Sequence, residues 1–298
     1  MTATLTAATD RTMPHRRIGP VRVGAVGLGA MPLSVHGRPG RKQALTTLHT
    51  ALDAGMTLID TADAYHSDAQ DPGHNELLIA EALTSYGGDT SDVLVATKGG
   101  HTRPADGSWA LDGSPAHLRR AADRSLRRLG VEAIGLYQFH RPDPAVPYEE
   151  SIGALKELCG AGKVRMVGIS NADPDRIRLS RTILGDRLVA VQNRFSPSFR
   201  GSLPELRLCD ELGMAFLPWS PLGGIGGAGR LGTDHSAFHE VAAELDVSPQ
   251  RVCLAWMLAL SPHVIPIPGA RRTESVLDSA QAPHLTLTPH QLARLNTA

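Results

Sequence analysis

The chain contains three cysteines, Cys159, Cys209 and Cys253, in 298 residues. They are too few and too scattered for a disulfide framework, and none forms a Cys-x-x-Cys pair, so a reducing cytoplasm is the expected compartment. No stretch approaches the ~18 consecutive apolar residues of a membrane-spanning helix, so no membrane partner is expected. The start, MTATLTAATDRTMPHRR, has no apolar run before a small-residue cleavage site, so residues 1–17 read as a loose tail and not as a signal peptide. Net charge is also missing: 30 Lys+Arg stand against 30 Asp+Glu. That balance argues against nucleic acid or anionic lipid as the main partner. Glycine (30) and proline (21) are plentiful but without a fixed period, which excludes a collagen-like chain and makes their positions informative.

Short apolar, β-branched runs alternate with segments of helical period. Eight strands are expected: Ala25–Leu28, Thr57–Ile59, Val93–Ala96, Ile134–Phe139, Val164–Ile169, Leu188–Val191, Met214–Leu217 and Val264–Pro266. Between them, Ser114-Pro115, Asp173-Pro174, Ser248-Pro249 and Thr288-Pro289 read as helix starts, an N-cap followed by a proline whose missing N–H costs nothing there. On the first of these helices Leu118, Ala122, Leu126 and Leu129 share a face. Repeated strand–helix units imply parallel strands, and eight in about 280 residues fit a closed α/β fold, the (β/α)8 TIM barrel, over residues 18–298. An open doubly wound sheet is the alternative. It would show a glycine-rich turn opening the first helix, but after Gly27-Leu28-Gly29 the third glycine position is taken by Pro32.

Connections from helix to strand look short, whereas those at 61–74, 99–113 and 219–235 are long. In a barrel the long ones share the C-terminal face, where barrel active sites form. Polar residues stand where the strands stop: Asp60 with Tyr65 after it, then Lys98, His140, Ser170-Asn171, Gln192-Asn193, Trp219-Ser220, and Gly269 with Arg271-Arg272. The first four suit proton transfer to a carbonyl. A tyrosine hydroxyl is a weak acid near neutrality, and a neighbouring Lys⁺ stabilises its phenolate and lowers its pKa. Asp60 is placed to hold the ammonium, and His140 to orient or polarise the substrate oxygen. Nothing in the set supplies hydride, so a bound cofactor is required.

The segments LIDTADAYHS, VLVATKGG, LYQFHRPD, VGISN, VQNRFSP, PWSPLGG and IPIPGARR resemble those of aldo-keto reductases, in order and at matching spacings, over residues 18 to about 295. Asn75-Glu76 resembles the branch with pyridoxal reductase-like members. The resemblance implies a catalytic tetrad of Asp60, Tyr65, Lys98 and His140, with Tyr65 as the general acid. It further implies Ser170, Asn171 and Gln192 around the nicotinamide carboxamide, Trp219 on the nicotinamide ring where many relatives have Tyr, and Ser220, Pro221, Leu222 and Gly223 along the pyrophosphate. Arg271 and Arg272, with Gly269 before them, would take the adenosine 2′-phosphate, so NADP is expected ahead of NAD. Where many relatives have Glu-Asn, this chain has Asp278-Ser279. The implied activity is reduction of a small-molecule aldehyde or ketone. The alternative is a non-catalytic, nucleotide-sensing partner subunit on the same barrel.

Met31, Trp109 and Arg141 lie on loops at the expected mouth and are candidates for the substrate pocket. LGGIGGAGRLG reads either as a floppy connection or as a lid. His235 and His239 have a zinc-like spacing but no third ligand, so no metal is expected. The run RRAADRSLRR reads as a solvated helix face.

Overall fold

A computed structural model describes residues 12–67, 71–104 and 106–297. The elements are β1 (His15–Ile18), β2 (Val21–Gly24), β3 (Leu28–Gly29), α1 (Arg41–Asp53), β4 (Leu58–Asp60), α2 (His74–Ser85), β5 (Leu94–Gly99), β6 (His101–Thr102), β7 (Ala110–Leu111), α3 (Pro115–Leu129), β8 (Ile134–Phe139) and α4 (Tyr148–Gly160). They continue with β9 (Val164–Ser170), α5 (Pro174–Leu184), β10 (Leu188–Gln192), α6 (Leu203–Glu211), β11 (Ala215–Phe216), α7 (Leu231–Asp234), α8 (Ser236–Leu245), α9 (Pro249–Leu260), α10 (Thr273–Ala280) and α11 (Pro289–Thr297).

Seven strands form one parallel sheet in the order β11-β10-β9-β8-β5-β4-β3. The expected eighth strand, Val264–Pro266, is present only as single bridges, Phe216 to Val264 on one side and Gly29 to Gly269 on the other. The prolines explain the difference. Ile265 and Ile267 donate to Phe216 O and Pro218 O, whereas Pro266 and Pro268, which have no N–H, only accept, from Gly27 and Gly29. These contacts bring the two edges of the curled sheet together, and the fold is the (β/α)8 barrel. The first barrel strand also lies later than expected, at Leu28–Gly29.

The loose tail is a second correction. Residues 1–11 lie outside the described residues, but His15–Ile18 pairs antiparallel with Val21–Gly24. Ile18 and Val23 are fully buried in the cluster that fills the barrel interior with Leu58, Ala96, Leu136, Ala215 and Ile265. Arg16 anchors the hairpin, its guanidinium donating to the backbone oxygens of Leu258, Ser261 and Val264 at 2.5–2.6 Å.

The expected helix starts carry side-chain caps. Ser114, Asp173, Ser248 and Thr288 accept from the amides of His117, Arg176, Arg251 and Gln291, each cap stabilising its helix by ~1 kcal/mol. On α3, Leu118 and Ala122 are fully buried while Leu126 and Leu129 are half-buried. The arginine run of α3 is not simply solvated. Arg128 donates to the fully buried Glu76 at 3.0 Å, and Arg124 lies 3.8 Å from the buried Asp63. Among the described residues no helix is long and apolar enough to cross a membrane.

Candidate active site

Strands β4, β5 and β8 lie side by side, and their C-terminal ends bring Asp60, Lys98 and the residue after Phe139 to one mouth. Lys98 is fully buried, and its ammonium has three partners: Asp60 Oδ2 at 2.6 Å, Thr61 O at 2.7 Å and Tyr65 Oη at 3.1 Å. These saturate its three donors, so the charge sits in one place. Asp60 Oδ1 accepts from Gln138 Nε2 at 3.1 Å and from Gln192 Nε2 at 2.7 Å. With both oxygens bonded, the buried Asp60 side chain is fixed in place and holds the lysine. The Tyr65 and His140 rings meet edge to face with centroids 5.6 Å apart. The structure thus brings together Asp60, Tyr65, Lys98 and His140, as expected from their positions after successive strands.

Burial decides the protonation states. It raises the Tyr65 pKa by more than Lys98 lowers it, so the hydroxyl keeps its proton at neutral pH. The sequence-based expectation named the lysine effect and not the larger desolvation. For Lys98 burial opposes the charge, but Asp60 and Tyr65 together outweigh it and the pKa is raised. Burial drives His140 well below the usual histidine range, and Lys98, His101 and Arg141 push the same way, so the ring is neutral. Its Nδ1 is buried with no partner among the described residues. A buried donor without a partner is costly, so the hydrogen belongs on Nε2, the nitrogen not sealed in.

These residues open into a cavity of about 890 Å³. Its lining includes Asp60, Tyr65, His140, the pocket candidates Met31, Trp109 and Arg141, and the cofactor candidates Ser170, Asn171, Gln192, Trp219, Ser220, Pro221, Leu222, Gly269, Arg271 and Arg272. Gly223 is not among the lining residues, although Gly224 and Gly226 are. Asn171 and Ser220 hold positive φ, 57° and 52°, a strained state for non-glycine residues that clusters at functional sites. Asn171 is pinned there by Nδ2 bonds to His140 O and Ser170 Oγ, and Arg141 donates to its Oδ1 at 3.3 Å. Arg271 is already engaged, donating to Pro32 O at 3.1 Å and His36 O at 3.0 Å, whereas Arg272 is exposed. Asp278 pairs with Arg251 at 2.8 Å and is not part of the lining.

The cavity suits an extended ligand with an amide at the barrel end and phosphate at the other. Gln192 spends its amide N–H on Asp60 and keeps Oε1 without a hydrogen bond among the described residues, free to accept from an amide. Trp219 Nε1, beside the same space, is a buried donor without a partner among the described residues. The loop from Ser220 to Gly226 carries glycines at positive φ, which bare the backbone toward the cavity. The residues present therefore fit a nicotinamide dinucleotide.

Two residues that the sequence reading passed over also line the site. His101 and Leu111 sit on the β6–β7 hairpin, inside what reads in sequence as a plain loop. The available signal was the Gly99-Gly100 pair after Lys98. Gly100, at φ +114°, turns the chain so that the next residue faces back.

Comparisons with known proteins agree with this geometry. Residues 25–298 match the model of the Aldo/keto reductase family. A 6-dehydroglucose reductase of Novosphingobium aromaticivorans is 34% identical over 276 residues, covering 88% of this chain and 87% of that protein. An uncharacterized oxidoreductase of Schizosaccharomyces pombe is 33% identical over 284 residues, covering 94% and 88%. Among solved structures, an aldo/keto reductase from Klebsiella pneumoniae in complex with NADP and acetate superposes with a TM-score of 0.78 at 26% identity, covering 96% of this chain and 95% of that one. A chain with this barrel, this set of strand-end residues and these relatives belongs to the aldo/keto reductase family.

Proposed function

We propose that the protein is an NADPH-dependent reductase of aldehydes or ketones, with Tyr65 as the general acid. The observation that carries this reading is the single buried ammonium of Lys98 shared between Asp60 and the Tyr65 hydroxyl. The nicotinamide, when bound, supplies the hydride that no side chain can. Ser170, Asn171 and Gln192 would hold its carboxamide, Trp219 would stack beside the ring, and Ser220, Pro221 and Leu222 would follow the pyrophosphate. Arg272 and Arg271 would meet the 2′-phosphate, which favours NADP over NAD. The Klebsiella structure with NADP supports that choice.

The chain's own residues then handle the proton. His140 Nε2–H and the Tyr65 hydroxyl are both donors and converge on a carbonyl oxygen. As negative charge develops there, Tyr65 gives up its proton and Lys98 stabilises the phenolate left behind. Asp60 keeps Lys98 charged, and Gln138 and Gln192 hold Asp60. The walls around Tyr65 and His140 keep bulk water from competing for the oxygen.

The test is Tyr65→Phe. The variant is expected to bind NADPH with unchanged affinity, followed by quenching of tryptophan fluorescence, and to lose kcat by about 10²–10⁴-fold with small aldehydes. Full turnover by the variant would remove Tyr65 from the chemistry.

A further inference from the structure

His101 stands three residues after Lys98, at the start of β6. It lines the cavity beside His140, with ring centroids 4.3 Å apart and planes at 85°. Its Nδ1 lies 3.2 Å from the carbonyl oxygen of Ala110 on the paired strand β7. A carbonyl oxygen only accepts, so Nδ1 carries the hydrogen, and in the neutral ring Nε2 is left as an acceptor. Burial keeps the ring neutral, and Arg141, Lys98 and Arg103 push the same way against the Ala110 bond. Among the described residues nothing hydrogen-bonds to Nε2. The two histidines therefore present opposite polarity to one cavity: His140 a donor, His101 an acceptor.

We propose that His101 is a specificity-determining residue that selects carbonyl compounds bearing a hydroxyl on the carbon next to the carbonyl. An α-hydroxy aldehyde or ketone carries an acceptor and a donor on adjacent carbons. The carbonyl oxygen faces His140 Nε2–H, and the neighbouring O–H faces His101 Nε2. Trp109 closes this corner with apolar surface, its ring edge-on to His101 at 5.4 Å and to Tyr65 at 6.4 Å. Arg103 lies over the Trp109 ring at 4.2 Å and steadies it. A substrate without the hydroxyl would leave the Nε2 acceptor desolvated and unpaired, a mismatch that binding sites reject by about ten-fold or more. The inference rests on the carbonyl reductase reading above.

The experiment uses the full chain with NADPH and two matched pairs, hydroxyacetone against acetone and 2-hydroxyacetophenone against acetophenone. The intrinsic reactivity of each pair is common to all variants, so the readout is the kcat/KM ratio relative to wild type. His101→Phe, which keeps an aromatic edge against His140, is expected to lower that ratio about ten-fold. His101→Gln, whose side-chain oxygen can accept, is expected to keep most of it. A ratio unchanged in His101→Phe, or a loss falling equally on both members, would overturn the assignment while leaving carbonyl reduction intact. If the wild type binds NADPH but turns over neither member, the reductase reading fails and this one with it. A measurement without any variant guards against misfolding. Nitrogen-15 NMR of the wild type should show His101 as the Nδ1–H tautomer at neutral pH, and an Nε2–H tautomer would equally overturn the inference.

Discussion

Replacing Lys98 with methionine removes the charge that stabilises the Tyr65 phenolate. The side chain is fully buried, and methionine fills a similar length without charge. In reduction Tyr65 begins protonated, as burial already favours, and only the transition state carries partial phenolate character. In alcohol oxidation Tyr65 must begin as phenolate, and Lys98, 3.1 Å away, is the cation that permits it. A charge pair at that separation amounts to roughly 5 kcal/mol at an effective dielectric of ~20, and a charge-assisted hydrogen bond to about 1.5–3 kcal/mol net. We therefore predict that Lys98→Met lowers kcat/KM by about 10²–10³-fold, and by the same factor in both directions at any one pH because the overall equilibrium constant is fixed. The pH at which oxidation reaches half its maximum should move upward, because burial, Asp60 and Asp63 all raise the Tyr65 pKa once Lys98 is gone. The assay follows NADPH loss and NADPH formation across pH 6–11 on the same preparation. A loss below about ten-fold would refute the reasoning, as would an unmoved alkaline limb. The fold should survive, because Asp60 keeps its bonds to Gln138 and Gln192.

Two further predictions concern stability. Burial and the neighbouring Glu76 raise the Asp63 pKa to about 8. A carboxyl raised in the folded state adds stability at low pH that is lost as pH rises between the unfolded value near 4 and about 8. Asp63→Asn should flatten that decline, so thermal melts would show the variant gaining on wild type at pH 9 but not at pH 4, and parallel curves would contradict it. Arg16→Leu strands three backbone oxygens of the α9 end and the segment after it. It should cost about 3 kcal/mol in urea unfolding, and a cost below ~1 kcal/mol would show that water replaces the guanidinium freely.

How much of this was legible in the sequence depended on whether a residue's role is local. Asp60, Lys98 and His140 follow apolar runs, and that alone places them at strand ends. The helix starts were legible because cap and proline act within one turn. The closing strand at Val264–Pro266 reads as a full ladder because its composition is that of a strand, while the two prolines that thin it, Pro266 and Pro268, act only against strands far away in sequence. The β1–β2 hairpin gave no periodic signal over four residues a side. Arg124 and Arg128 read as solvated because their partners, Asp63 and Glu76, lie in another loop and helix. His101 was hidden for a related reason: its meaning comes from the carbonyl of Ala110 and the ring of His140, neither of which adjoins it in the chain.

The seam between Gly29 and Gly269 also has a consequence for synthesis. Its two sides are 240 residues apart, so the nascent chain holds most of the sheet long before the closing segment leaves the ribosome. Until then β3 and β11 are open edges with unpaired backbone groups, the state most open to joining another chain. The half-formed ladder at the seam adds few hydrogen bonds of its own, so closure must draw on helices α9 and α10 packing around it. Ribosome-bound chains that stop just short of residue 264 should therefore be markedly more sticky, and more protease-sensitive, than chains released past residue 280.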